Sequence, residues 1–309
     1  MNKMSKKIRR IIAILVTMLM ISQLPGVGYI ISGAADDPII SEPVGGLTHT
    51  CTAEDEGRTF GMFYLNLVTL IVPADLGVTI GAVEITDSVH AGASFTINNN
   101  GHIETANIQY GKVSMNGGTY TSITLAEGAT INATGITATS SITSSGSFNV
   151  EGNNVSNGSV TAVSIGGTGN ITAKGKLELT GSGTTAKMYV YADTQIVNST
   201  GAAFAVTNVE NNKEYSIPAG TNSTLREMHG TKMDIFSEDN RASGGVTSEF
   251  FGPLWYGEST PAATFEAAEG YYFPEDYQVT TAGKGTVTTS VVGKNKVSIA
   301  YTVGADDTG

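Results

Sequence analysis

Three glutamates, Glu104, Glu127 and Glu151, follow one another at intervals of 23 and 24 residues. Glycoside hydrolysis needs a pair of carboxyl groups, one to protonate the leaving oxygen and one to act on the sugar or on water. In a chain that coils with a repeat near that interval the three stack on one face, as a catalytic pair or as a plain row of solvated acids. The surrounding sequence limits the substrate. Enzymes that cut acidic polysaccharides on coiled β scaffolds need clustered Asp for acid–base or calcium work, and Arg or Lys to neutralise the uronate. No Arg occurs from residue 59 to 225 and no Asp from 88 to 192, so the middle of the chain holds no such site. No catalytic residue is assigned.

The aromatic run Phe250-Phe251-Gly252-Pro253-Leu254-Trp255-Tyr256 contains the only tryptophan. Sugars stack their C–H faces on indole and phenol rings, and a junction between domains is a frequent place for a cleft. Phe251, Trp255 and Tyr256 are therefore candidate ligand-binding residues, with packing between domains as the competing role. Glu54-Asp55-Glu56, Glu238-Asp239-Asn240 and Asp306-Asp307 offer oxygen for calcium, the middle one with Ser237 and Ser243 nearby. Solvated turns have the same composition. His49, His90, His102 and His229 are scattered, so no metal is assigned and no other cofactor is expected.

Three short motifs fail on context. Gly181-Ser182-Gly183-Thr184-Thr185-Ala186 imitates a dinucleotide fingerprint, but Lys187 to Tyr191 alternates like a strand where a helix is required. Gly166-Gly167-Thr168-Gly169 imitates a calcium-binding repeat whose aspartate is here Ile171. His102-Ile103-Glu104 imitates the start of a zinc deaminase site whose two further cysteines do not exist.

The elements that would position these residues are strands. From Val89 to Asn208 only nine of 120 residues are charged, leucines are few, and there is no proline between Pro73 and Pro218. β-Branched residues and Gly, Asn and Ser turns dominate. Ile123, Ile131, Ile136, Ile142, Phe148, Val155, Val160, Ile165, Ile171 and Leu177 recur about every six residues and are read as inward-facing. Strands this short cannot bury one apolar residue alone; stacking each coil on the one beneath builds a continuous aliphatic core. Three strands would make a coil of about 18 to 22 residues, within the range for such repeats. The expected fold is all-β: a parallel β-solenoid (β-helix) over 89–210, followed by a small antiparallel β-sandwich-like module. A β-sandwich throughout is the alternative. The apolar run Phe60–Val72 is expected to lie across the open end of the first coil.

Residues 1–35 carry Lys3, Lys6, Lys7, Arg9 and Arg10, then an apolar stretch from Ile11 to Leu24 and Pro25-Gly26. That order is a secretory signal peptide, with cleavage expected near Ala35; an uncleaved anchor is the alternative. Removing it shifts the formal charge from −11 to −16. An exported chain so acidic is not expected to bind nucleic acid, and it meets the membrane only through the export signal. Cys51 is the only cysteine, so no internal disulfide forms, and it is read as a buried thiol. The remaining map is 36–88 as a cap with the first strands, 211–261 as a connector and 262–309 as the small module.

Within that module, Thr264–Ala267, Tyr277–Thr280, Thr286–Val292 and Lys296–Val303 alternate as four strands, the last two joined at Gly293-Lys294-Asn295. The chain stops soon after the fourth, so a longer protein is expected. The run Ala268-Glu269-Gly270-Tyr271-Tyr272-Phe273-Pro274-Glu275-Asp276-Tyr277-Gln278-Val279, with the Val297-Ser298-Ile299 strand, resembles the small β modules repeated in cell-surface proteins of Gram-positive gut bacteria. The resemblance covers about 40 residues, implies an envelope role and transfers no active site; no Leu-Pro-x-Thr-Gly anchor signal is present. The expectation is a secreted or cell-surface structural or adhesion protein, extracellular or wall-associated and without catalysis, whose polar stalk meets glycans or host proteins. The alternative is a carbohydrate-binding or polysaccharide-degrading β-helix protein.

Overall fold

The computed structural model describes residues 48–307 except 58, 65–68, 86–87, 89–90, 236–241, 244–248, 280 and 305–306, with two short strands upstream, Gly28–Ile31 and Ser41–Glu42. The expected cleavage position near Ala35 and the basic and apolar stretches before it lie outside the described residues. The chain divides into two units: residues 1–188 with 199–202, and residues 189–198 with 203–309.

The first unit is a parallel β-solenoid of about six turns. Strands pair with the strand one coil away, as in Thr119↔Thr137, Thr130↔Ser147 and Ser159↔Lys176, all parallel and in register. The parallel pairing excludes the sandwich. Side chains from successive coils meet 17 or 18 residues apart in Asn132–Asn149 and Asn98–Asn116, at the short end of the expected coil length, and the earlier pair Thr48↔Thr69 is 21 apart. In the later coils three strands complete a turn, as in Ser147–Glu151, Asn153–Ser156 and Ser159–Ala162. The longer strand Thr137–Ser144 pairs with both Asn153–Ser156 and Ser159–Ala162, so it runs over two sides of the coil.

The core is the column of aliphatic residues the spacing implies. Ile123, Ile131, Ile136, Ile142, Phe148, Val160, Ile165, Ile171 and Leu177 are all buried. Each contributes about 1.5–3 kcal/mol of burial, which no isolated strand of four residues can collect. Val155 departs from the expectation: it is half-buried, while its neighbours Asn154 and Ser156 face inward. Asn154 takes the place because its amide satisfies a corner of the coil. It donates to the carbonyls of Ala133, Glu151 and Asn170 and accepts from the Ile136 N–H.

The Phe60–Val72 segment is not a cover over the end of the stack. Thr59–Tyr64 pairs parallel with Thr79–Ile85, and Thr69–Val72 pairs parallel with both Thr48–Thr50 and Ser94–Asn99. Leu70 and Val72 are buried and alternate with half-buried Thr69 and Ile71, which is strand chemistry rather than the packing of a lid. Cys51 is buried as expected, and burial, aided by the nearby Asp55 charge, pushes its thiol up to about 11.

In the second unit, Tyr189 and Val190 pair parallel with Thr207 and Asn208. The chain then reverses: Glu214–Ile217 lies antiparallel on Phe204–Asn208, and Asn222–Ser223 lies antiparallel on Gln195–Asn198. Buried Asn208 shapes the turn, accepting from the N–H groups of Glu210 and Asn211 and donating to the Val190 carbonyl. The stretch read as a connector thus carries strands, and also a short helix, Leu225–His229. Thr224 and Glu227 close its start as a reciprocal capping pair. Thr231–Ile235 and Glu249–Leu254 form an antiparallel pair.

The small module is antiparallel, with strand order Ala242–Ser243, Ala263–Ala267, Lys296–Thr302, Thr286–Val291. Its core is Ala263, Phe265, Val297 and Ile299, with Phe273, Tyr277 and Val279 packed on it. Tyr277–Thr280 was expected as a strand; Tyr277–Val279 are not in one, and Thr280 lies outside the described residues. A turn closed by the Tyr277 N–H and the Pro274 carbonyl precedes it, and the Phe273 and Tyr277 rings meet edge-on at 4.9 Å over the sheet. The segment covers the sheet with side chains instead of joining it through the backbone. The turn at Gly293-Lys294-Asn295 is a hairpin loop, with Gly293 at φ 75° and the Val292 N–H bonded to the Lys296 carbonyl.

Candidate functional site

The solenoid turns rows of small neutral side chains outward. Ser122, Ser141 and Ser159 follow one another in adjacent coils, and two positions on in the same strands Thr124, Thr143 and Thr161 do the same. Another side carries Thr96, Ser114, Asn132 and Asn149. These rows arise because in-register parallel pairing places like position over like position, about 4.8 Å apart. Asparagines link across coils: Asn116 donates to Asn98 at 2.8 Å, Asn149 to Asn132 at 3.1 Å and Asn170 to Asn153 at 2.7 Å. Such a face offers repeated hydrogen-bond donors and acceptors and almost no charge.

The glutamates do not form one row. Glu104 lies on the strand His102–Ile108, Glu127 in the turn after Leu125, and Glu151 at the end of Ser147–Glu151, opposite Thr134 on a different sheet. From His102 onward adjacent coils align residues 17 to 19 apart, so neither a 23- nor a 24-residue interval returns to the same position. Glu151 accepts from Thr168 at 2.6 Å, a surface bridge between coils.

The second unit holds a cleft of about 450 Å³, within the range of small-molecule sites. Trp255 and Tyr256 both line it; Phe251, on the neighbouring strand, is not part of the lining. Trp255 is only 5 % exposed, and its Nε1–H meets no acceptor among the described residues. Tyr256 is 46 % exposed. Tyr215 lies between His229, at 4.9 Å, and Trp255, at 6.1 Å, so three rings from distant positions form one aromatic wall. Sequence alone singled out Trp255 and Tyr256 as a lone aromatic cluster; Tyr215, His229, Lys213 and Lys232 join them only through the turns of 211–232.

The helix that brings Met228 and His229 to this cleft is tied down by Arg226. Its guanidinium holds Asp193 through both carboxylate oxygens, at 2.5 and 3.0 Å, and also binds Glu258, whose carboxylate accepts from the Trp255 N–H at 2.9 Å. Hydrogen bonds from Arg226 hold both the Asp193 and Glu258 carboxyls below their usual range. Carboxyls depressed on folding stabilise the fold above their unfolded values, near 4, and lose that contribution as pH falls through the folded ones. Arg226→Ala is therefore expected to lower stability by about 1 kcal/mol at pH 7, since both acids are well exposed. The gap to the unmodified protein should start to shrink below about pH 4 and close only once the pH has fallen below the depressed folded values. Urea denaturation at the two pH values measures it; an equal gap at both would show that the ion pairs contribute nothing.

The oxygen-rich clusters are occupied in other ways. The Asp55 carboxylate accepts from the backbone and hydroxyl of Thr52. Burial pushes the Asp307 carboxyl upward, but it is held below its usual range by the Tyr301 hydroxyl and the N–H groups of Lys284 and Gly304. Residues 238–240 lie outside the described residues, and among the described residues no three His, Cys, Asp or Glu side chains come together as a metal-holding group. No described helix is long and apolar enough to cross a membrane, which says nothing of β-barrels. Comparison with family models, curated proteins and solved structures finds no match to this chain.

Proposed function

We propose that this chain is an exported structural or adhesion protein of a bacterial surface, of the Gram-positive kind its C-terminal motif resembles. The solenoid is a stiff stalk that presents polar rows to glycans or host proteins, and no catalysis is involved. The observation that supports this best is the uncharged, in-register rows of Ser, Thr and Asn on coils whose interior is mostly aliphatic. A surface built that way adds many weak hydrogen bonds to an extended partner, each desolvated at little cost because no charge is buried. Export follows from the basic and apolar start of the chain. A glycan array and a panel of host matrix proteins, probed with the purified chain, test the adhesive role. Binding weakened by Ser141→Asp with Thr143→Asp supports it; a blank panel removes adhesion and leaves a spacer.

A second reading, a carbohydrate-binding protein, rests on the aromatic cleft lined by Trp255 and Tyr256. The polysaccharide-degrading version of it loses its carboxylate pair, because Glu104 and Glu127 belong to a strand and a turn at different coil positions.

A further inference from the structure

The small antiparallel module carries an edge with nothing to blunt it. Thr286–Val291 is the outer strand of its sheet and pairs on one side only, with Lys296–Thr302. The Val292 N–H bonds the Lys296 carbonyl, and the register runs from there to Thr286↔Thr302 without a shift. Opposed residues of an antiparallel pair alternate between bonding each other and not. Thr286, Thr288 and Ser290 therefore turn their backbone groups to Lys296–Thr302, and Val287, Thr289 and Val291 turn theirs to the open side. No backbone group among the described residues bonds that side. Exposed edges are ordinarily kept short or guarded by charge or proline. The opposite edge of this sheet, Ala242–Ser243, is two residues long, whereas residues 285–293 hold neither a charge nor a proline.

We propose that this edge pairs antiparallel with the same edge of a second copy of the chain, about a two-fold axis through Thr289. Residues 287–291 read Val-Thr-Thr-Ser-Val, nearly the same in both directions. The axis therefore sets like against like, Thr289 on Thr289, Val287 on Val291 and Thr288 on Ser290, as an isologous contact requires. Val287, Thr289 and Val291 exchange N–H and C=O with the other copy, which uses every open backbone group, and each cross-strand pair is β-branched or hydroxylic. Val287 and Val291 are half-buried against the core of Ala263, Phe265, Val297 and Ile299. The same valines of the second copy cover what the sheet leaves bare, so two small cores join under one continuous sheet. Thr288 and Ser290 lie on the other face and are exposed. Lys284 and Lys294 flank the strand in loops outside the paired stretch. An extended segment of unrelated sequence could use the backbone groups but not this matching, which is why the occupant is a second copy. The pairing does not rest on what the solenoid binds, and either can fail without the other.

Sedimentation velocity of the full chain decides it. A strand-to-strand contact is of the small, transient class, so the chain should pass from monomer to dimer between about 1 μM and about 0.1 mM. Thr288→Glu combined with Ser290→Glu sets acid against acid on both sides of the axis, and Thr288→Lys combined with Ser290→Lys sets base against base. Each double variant alone should pair at least about tenfold more weakly, since like charges directly opposite repel. An equimolar mixture of the two should recover the dimer, because every acid then faces a base, and added salt should weaken that mixed dimer. Both positions are exposed, so the variants keep the fold, which an unchanged thermal melt verifies. A chain that stays monomeric up to the highest concentration, a dimer that persists in either double variant alone, or a mixture that fails to pair overturns the proposal.

Discussion

Asn154→Ala is expected to cost about 3 kcal/mol, more than most single truncations of its size. The amide sits fully buried inside the coil and makes four hydrogen bonds, to the carbonyls of Ala133, Glu151 and Asn170 and from the Ile136 N–H. Alanine removes the acceptor of the buried Ile136 N–H and the donor that the three carbonyls share, and a buried orphan of that kind costs about 1–3 kcal/mol before any relaxation. Leucine, which restores the volume, should do no better, because the deficit is polar. Asn153, one residue earlier and exposed, provides the control: Asn153→Ala removes only a surface bridge to Asn170 and should stay within about 0.5 kcal/mol. Chemical denaturation of the three variants measures these differences. An Asn154→Leu protein as stable as the original would mean that shape, and not hydrogen bonding, holds that corner.

Gly158→Ala should be comparably damaging for a steric reason. A Cβ at Gly158 would lie 1.8 Å from the Ser140 carbonyl oxygen of the coil beneath and 2.6 Å from its carbon. Both are backbone atoms at a corner held by paired residues on either side, Ala138 and Ser141, so no flexible side chain can move aside. The same crowding repeats one coil further, where a Cβ on Gly175 would meet the Gly158 carbonyl oxygen at 2.8 Å. One methyl therefore pushes two coils apart at a corner whose Gly175 and Lys176 N–H groups both bond the Gly158 carbonyl. Overpacking of this kind costs about 3 kcal/mol. Gly92→Ala, where the added carbon meets nothing within 4 Å, should be close to neutral, and a thermal melt separates the two.

The coil was legible because its interior is chemically uniform. Positions such as Ile131, Phe148 and Leu177 are apolar, regularly spaced and set between turn residues, and all are buried. The reading slipped where polarity and direction part company. Val155 looked inward because it is apolar, but the corner beside it needs an amide, so Asn154 takes the interior. Tyr277–Thr280 alternates like a strand, and instead Tyr277 and Val279 lay their side chains over the sheet, a distinction that only the tertiary packing draws. The stacking of Glu104, Glu127 and Glu151 rested on a repeat a few residues too long. The cleft was half legible: the lone tryptophan and its neighbour stand out, whereas Tyr215, His229 and the two lysines come from loops with no period to align them.

A stack of in-register parallel strands is a template for more of itself, and any chain with a matching rim could in principle extend it. Here the polypeptide doubles back, and Glu214–Ile217 and Asn222–Ser223 run against the direction of the strands they join. A second copy arriving at that rim would find polarity reversed and hydrogen-bond spacing altered. The reversal therefore withholds, at that edge, the parallel template on which a further strand of the same kind could stack.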